Sequence, residues 1–71
     1  MTFDLAMEGI LKGERCRRKD WNRPKYIAIS SGYILYNVRT VIMVMQDGTL
    51  NAWSPSQCDM LAGDWFRVNE M

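Results

Sequence analysis

The sequence contains no histidine. Imidazole is the side chain that most readily takes and gives a proton near neutral pH, so Ser–His and Cys–His nucleophile pairs are impossible within one chain. No other pairing of nucleophile and base stands out, and the expectation is a protein that is not an enzyme and needs no cofactor. Cysteine is scarce as well: Cys16 and Cys58 are the only two, without CxxC spacing, and with no secretory h-region before a cleavage site in the sequence the expectation is a chain that is not secreted. That disfavours a disulfide framework and a zinc site alike, and it fits free thiols in a reducing cytoplasm. No apolar run approaches the length of a membrane span.

Charge of one sign is also missing. Nine Lys and Arg residues are nearly cancelled by eight Asp and Glu, for a net charge of +1. Non-specific binders of nucleic acid polymers need a large positive excess, because their affinity comes from displaced counterions, so such a polymer is not the expected partner. With 71 residues the chain is one domain, 1–71, and a core of that size stabilises it only marginally. Since disulfides and metals are disfavoured, self-association is the expected source of further stability.

The residues present outline an α+β fold. Thr2 suits a helix N-cap, Asp4 suits the positive end of the helix, and Phe3, Ala6, Met7, Ile10 and Leu11 recur at helical spacing. Gly13 stands where a left-handed stop is wanted. The polar stretch Glu14–Asp20 reads as a short edge strand running into a turn at Asp20–Pro24. Tyr26–Ile29 reads as a strand, Ser30-Ser31-Gly32 as a turn, and Tyr33–Tyr36 as either a strand or a folded-over loop. Val41–Met45 is the strongest strand, apolar throughout, and suggests burial on both faces. Asp47-Gly48 is a hairpin signal, with Leu50–Trp53 returning. Ser54 and Pro55 suggest the cap and first residue of a short helix ending by Gly63, and Asp64–Val68 closes the chain as a strand. The expected architecture is an N-terminal helix packed on a small antiparallel sheet, with a short second helix before the last strand.

Three patches together resemble a known family. The first is Phe3-x-x-Ala6, Leu11-x-Gly13 and Arg18-x-x-Trp21-Asn22. The second is an apolar strand through Ile42 and Met43 leading to Asp47-Gly48-Thr49. The third, and the most specific, is Trp53-x-Pro55-Ser56-Gln57-x-Asp59-Met60-Leu61-Ala62-x-Asp64-Trp65. This order resembles the Thoeris anti-defence protein 2 family of phages and bacteria. The resemblance implies a tetrameric sponge that holds glycocyclic ADP-ribose, the signal of TIR-domain immune enzymes, without cleaving it. It further implies cyclic di- or trinucleotide binding in some members, pockets between protomers, and action in the cytoplasm of an infected or lysogenic bacterial host. Two features depart from the family pattern: Cys16 replaces a common valine, and the segment from Pro24 to Val41 is shorter than in many relatives.

On that resemblance the candidate ligand-binding residues are Arg18, Trp21, Asn22, Ser56, Gln57 and Asp59. Trp21 either offers an indole face to a base or caps the core beneath the first helix. Arg18 offers paired donors to a pyrophosphate, or else it pairs with Asp20 or Asp64. Ser56 and Gln57 surround a helix start whose free N–H groups suit an anion, although Ser54 and Ser56 suit capping equally. Asp59, three residues beyond Ser56, either completes a capping arrangement or accepts from ribose hydroxyls. Two other readings compete with the sponge. One is a nucleic-acid module using Arg15, Arg17, Arg18, Lys19, Arg23 and Lys25 with Trp21 and Tyr26; the other is a direct protein inhibitor of a host enzyme.

Overall fold

A computed structural model describes residues 1–22, 24–35 and 38–68. Helix α1 (Phe3–Leu11) begins at Thr2, whose backbone is extended and whose hydroxyl donates to Asp4 Oδ1 at 2.5 Å instead of capping a backbone N–H. It ends as the sequence predicts. Gly13 has φ of 98°, its N–H donates to the Ile10 carbonyl at 3.0 Å, and the Glu14 N–H reaches back to the Gly9 carbonyl at 2.9 Å. The paired bonds close the helix in a Schellman motif. Of the predicted apolar face, Ala6 and Ile10 are fully buried and Phe3 and Met7 pack against the core, but Leu11 lies in solvent at 62 % exposure.

Five strands follow: β1 (Cys16–Arg18), β2 (Pro24–Leu35), β3 (Val38–Met45), β4 (Leu50–Ala52) and β5 (Trp65–Arg67), with the short helix α2 (Gln57–Leu61) before the last. Every pairing is antiparallel, in the order β4-β3-β2-β1-β5. The architecture is therefore the expected one, with three local corrections. First, β1 is an inner strand. All three of its residues pair with β5, and Cys16 pairs with Ile27 on the other side. Its charged sequence reads as an edge because the partners that neutralise Arg18 are far away in the chain. Second, Ser30-Ser31-Gly32 is not a turn. Strand β2 runs straight through it, and the register slips between Ser30↔Thr40 and Ile34↔Arg39. The small residues form an irregularity of the bulge kind inside a strand, a role that serine and glycine fill as readily as a turn. Tyr33–Leu35 belongs to that strand, whereas Tyr36 lies outside the described residues. Third, the cap of α2 is Ser56, not Ser54, and Pro55 precedes the helix instead of opening it.

Alternation along the strands sorts the sheet into two faces. One carries Cys16, Ile27, Ile29, Val41, Met43 and Trp65, and α1 packs against it; Ala6, Ile10, Cys16, Ile27 and Trp65 form the buried core. Ile42, on the opposite face between Ala28 and Ala52, is the one buried residue of the predicted apolar run. Its neighbours Val41, Met43, Val44 and Met45 are half-buried, so two-sided burial holds only at the centre of β3. At the core's heart all three tryptophans meet. Trp65, 1 % exposed, touches Phe3 at 5.9 Å, Trp21 at 5.2 Å and Trp53 at 6.0 Å between ring centres, the last two edge to face.

A candidate ligand site at the start of the second helix

The site begins with helix capping. Ser56 has an extended backbone (φ −81°, ψ 171°), and its Oγ accepts from the Asp59 N–H at 3.1 Å. Asp59 returns the bond, its Oδ2 accepting from the Ser56 N–H at 2.9 Å. This reciprocal box satisfies two N–H groups that a helix start otherwise leaves unpaired. The carbonyl of Asp59 accepts the Trp65 indole N–H at 2.9 Å, which ties the helix to the core.

Strand β1 supplies the next layer. Two residues beyond buried Cys16, Arg18 points to the same side and meets this helix. Its Nη1 donates to Asp59 Oδ1 at 3.1 Å, and its Nε donates to Asp64 Oδ1 at 2.8 Å. Asp64 also accepts from the Asp20 N–H at 3.1 Å, and the Asp20 carboxylate, which is largely in solvent, stands 3.9 Å from Arg18 Nη2. The electrostatics follow the geometry. Hydrogen bonds to Asp64 and then Asp59 raise the Arg18 guanidinium above its ordinary pKa, and the Arg18 bond chiefly lowers Asp64. Burial pushes the Asp59 carboxyl up, but bonds from Ser56, Arg18 and Trp21 outweigh it and hold the group below the usual carboxylate range.

Trp21 stands at the turn after β1, with its N–H donating to the Arg18 carbonyl at 3.2 Å and its own carbonyl accepting from Arg17 Nη2. Its ring is half-buried, edge-on to Trp65 and Trp53. Asn22 beside it and Gln57 at the head of α2 are exposed. Four of the predicted residues, Arg18, Trp21, Ser56 and Asp59, therefore form one bonded cluster, and Asn22 and Gln57 flank it.

Two members carry less weight in a sequence reading than in the structure. Asp64 completes the Arg18 clamp, the pairing that the sequence offers as the alternative to a pyrophosphate, and Arg17 fixes the Trp21 turn. Chemically the cluster is rich in acceptors. One guanidinium faces three carboxylates, so as it stands it suits ribose hydroxyls better than phosphate. The carboxylates converge on Arg18, and among the described residues no group of three cysteines or acids is arranged to hold a metal ion. The described clefts lie elsewhere, at the β3–β4 turn and between α1 and the Glu14–Arg67 pair. Among the described residues no helix is long and apolar enough to cross a membrane.

No curated protein matches the sequence. A family model does: that of the Thoeris anti-defense 2-like domain aligns with residues 1–68, which takes in α1, all five strands and every residue of the cluster. Over almost its whole length, then, this chain is an anti-defence domain and belongs to the Thoeris anti-defense 2-like family.

Proposed function

We propose that the protein counters Thoeris by sequestration, binding a cyclic nucleotide immune signal and holding it intact in the host cytoplasm. Glycocyclic ADP-ribose is the first candidate, and cyclic di- or trinucleotides are the second. The observation that carries this reading is the gathering of Arg18, Trp21, Ser56 and Asp59, from β1, its turn and α2, into one bonded cluster with Asn22 and Gln57 at its rim. In this reading the half-buried indole of Trp21 offers a stacking surface, worth about 1–3 kcal/mol per base. The carboxylates of Asp59 and Asp64, fixed by Arg18, accept from ribose hydroxyls. Phosphate charge needs cations from outside this acidic cluster, and a neighbouring protomer in a homo-oligomer, expected to be a tetramer, supplies them. Binding without cleavage suits a chain with no histidine.

Native mass spectrometry of the purified protein, alone and with glycocyclic ADP-ribose isomers, cyclic dinucleotides and cyclic trinucleotides, tests this directly. An oligomer that retains one ligand class, releases it chemically unchanged on denaturation, and loses it on Asn22→Ala with Gln57→Ala supports the sponge. These two residues are the right probes because both are exposed, whereas Trp21→Ala would also disturb the aromatic cluster. A protein that ignores the whole panel overturns the proposal.

A further inference from the structure

The net charge of +1 averages two unlike sides of the molecule. Register assigns the sides: Cys16 and Ile27 are paired and buried, so Arg17, Arg15 and Tyr26 belong to the opposite face, away from α1. Phe66, paired with Arg17, shares that face, and Arg15 stays in line because its carbonyl accepts from the Val68 N–H at 2.8 Å. Two cation–aromatic pairs result. The Arg15 guanidinium lies 4.8 Å from the centre of the Tyr26 ring, and that of Arg17 lies 6.0 Å from the centre of Phe66.

Neither arginine takes part in an ion pair among the described residues. The described acids are engaged elsewhere: Glu8 with Lys12, Glu14 with Arg67, and Asp20, Asp59 and Asp64 around Arg18. Asp4 accepts from Thr2 at the start of α1, and Asp47 from Thr49 in the β3–β4 turn. Among the described residues, the sheet face away from α1 therefore carries positive charge without a matching carboxylate, interleaved with rings across β5, β1 and β2. Guanidinium planes laid on rings give an unpaired base a flat surface; Arg15 keeps its N–H groups for phosphate oxygens, whereas Arg17 gives Nε and Nη2 to the Arg18 and Trp21 carbonyls and keeps Nη1.

We infer that this face, built on Arg15–Tyr26 and Arg17–Phe66, binds single-stranded nucleic acid. The face lies on the other side of the sheet from the cluster at α2 and shares one residue with it, Arg17, whose Nη2 donates to the Trp21 carbonyl; Arg15, Tyr26 and Phe66 belong to this face alone. It also overturns, for one face, what the overall charge balance suggests.

Fluorescence anisotropy of a fluorescein-labelled twelve-nucleotide oligo(dT), and of its RNA counterpart oligo(rU), against the full chain tests the inference across a salt series. Binding is expected at low salt, weakening as salt rises. Arg15→Glu with Arg17→Glu should lower affinity by at least about ten-fold and flatten the log–log salt slope by about 1.4, the share of two phosphate contacts on a single strand. Tyr26→Leu should cost about ten-fold with little change of slope, because it removes stacking and not charge. Lys12→Glu, at the C-cap of α1 and equal in charge change to Arg15→Glu alone, should leave binding as it was. Equal losses from Lys12→Glu and Arg15→Glu, or competition by base-free polyphosphate as strong as by oligo(dT), overturn the inference, leaving charge alone. Failure to bind at low salt overturns it too, including the case where a second copy covers the face. Loss of the signal-binding reading would leave this result untouched.

Discussion

Asp59 binds Arg18 across 41 positions of sequence while capping the helix it belongs to: Oδ1 takes the guanidinium at 3.1 Å, and Oδ2 takes the Ser56 N–H at 2.9 Å. One carboxylate thereby joins β1 to α2, and its backbone carbonyl adds Trp65. Asp59→Ala should therefore lower stability by about 2 kcal/mol, combining a lost cap with a lost charge-assisted bond. In a domain of this size that is about 10 °C in Tm. Asp59→Asn, which can still accept from Ser56, should cost about half as much. Ser56→Ala combined with Asp59→Ala should cost less than the sum, because both remove the same box. Thermal unfolding followed by circular dichroism, at one fixed protomer concentration, measures all three. A change within 0.5 kcal/mol for Asp59→Ala would mean that α2 is held by its packing alone.

The same network sets the response to pH. Asp59 and Asp64 are both lowered in the folded state, so in acid the unfolded chain takes up protons first. Their contribution is fully present above the ordinary carboxylate value of 3.8 and is lost as pH falls through the folded values. With no histidine to titrate, stability should be level from about pH 5.5 to 8 and fall in more acid solution. At the other end burial raises the Cys16 thiol, so above its ordinary value of 9.0 the unfolded chain ionises more readily and stability falls again. Urea titrations from pH 3 to 10 should trace this plateau, and a slope near pH 6.5 would contradict it.

What the sequence made legible was what short stretches decide alone. Gly13 and Asp47-Gly48 mark their turns because positive φ is a local demand, and the structure gives Gly13 and Gly48 φ values of 98° and 89°. Ser54 and Ser56 both look like caps, and only Ser56 has an acid at the third helical position to complete the box. The reading of β1 as an edge failed because Arg18 is neutralised by Asp59 and Asp64, residues more than 40 positions away. Ser30-Ser31-Gly32 failed as a turn because the same residues serve a bulge, and only the pairing with β3 separates the two. For Trp21 local sequence could not choose between platform and core. The fold gives it core neighbours on its edges, while Asn22 beside it stays exposed.

The two thiols should behave differently. Cys16 is fully buried, with its Sγ 3.7 Å from the Ala6 carbonyl, whereas Cys58 is exposed on α2. A thiol reagent such as dithionitrobenzoate should modify one cysteine per chain promptly and the second only as the chain unfolds. Cys58→Ser should abolish the prompt reaction without moving Tm. Prompt reaction of both cysteines in the native protein would show that the seam between α1 and β1 opens readily.

Gly9 offers a more delicate test, because two effects of similar size oppose each other there. Glycine within a helix costs about 1 kcal/mol relative to alanine, and Gly9 is buried in the last turn of α1. A Cβ at this position would run into the Glu14 carboxylate, which folds back over the helix and pairs with Arg67 Nη1 at 3.0 Å. The obstruction is the far end of a flexible side chain, so it can swing away; what is lost is the Glu14–Arg67 pair, with Arg67 largely in solvent. Pairs of that kind contribute about 0–1 kcal/mol. Gly9→Ala should therefore be neutral or slightly stabilising, and Glu14→Gln, which removes the charge first, should shift the balance further in its favour. A loss of more than 1 kcal/mol from Gly9→Ala in the Glu14→Gln background would mean that the backbone of β1, and not the carboxylate, is what demands glycine in α1.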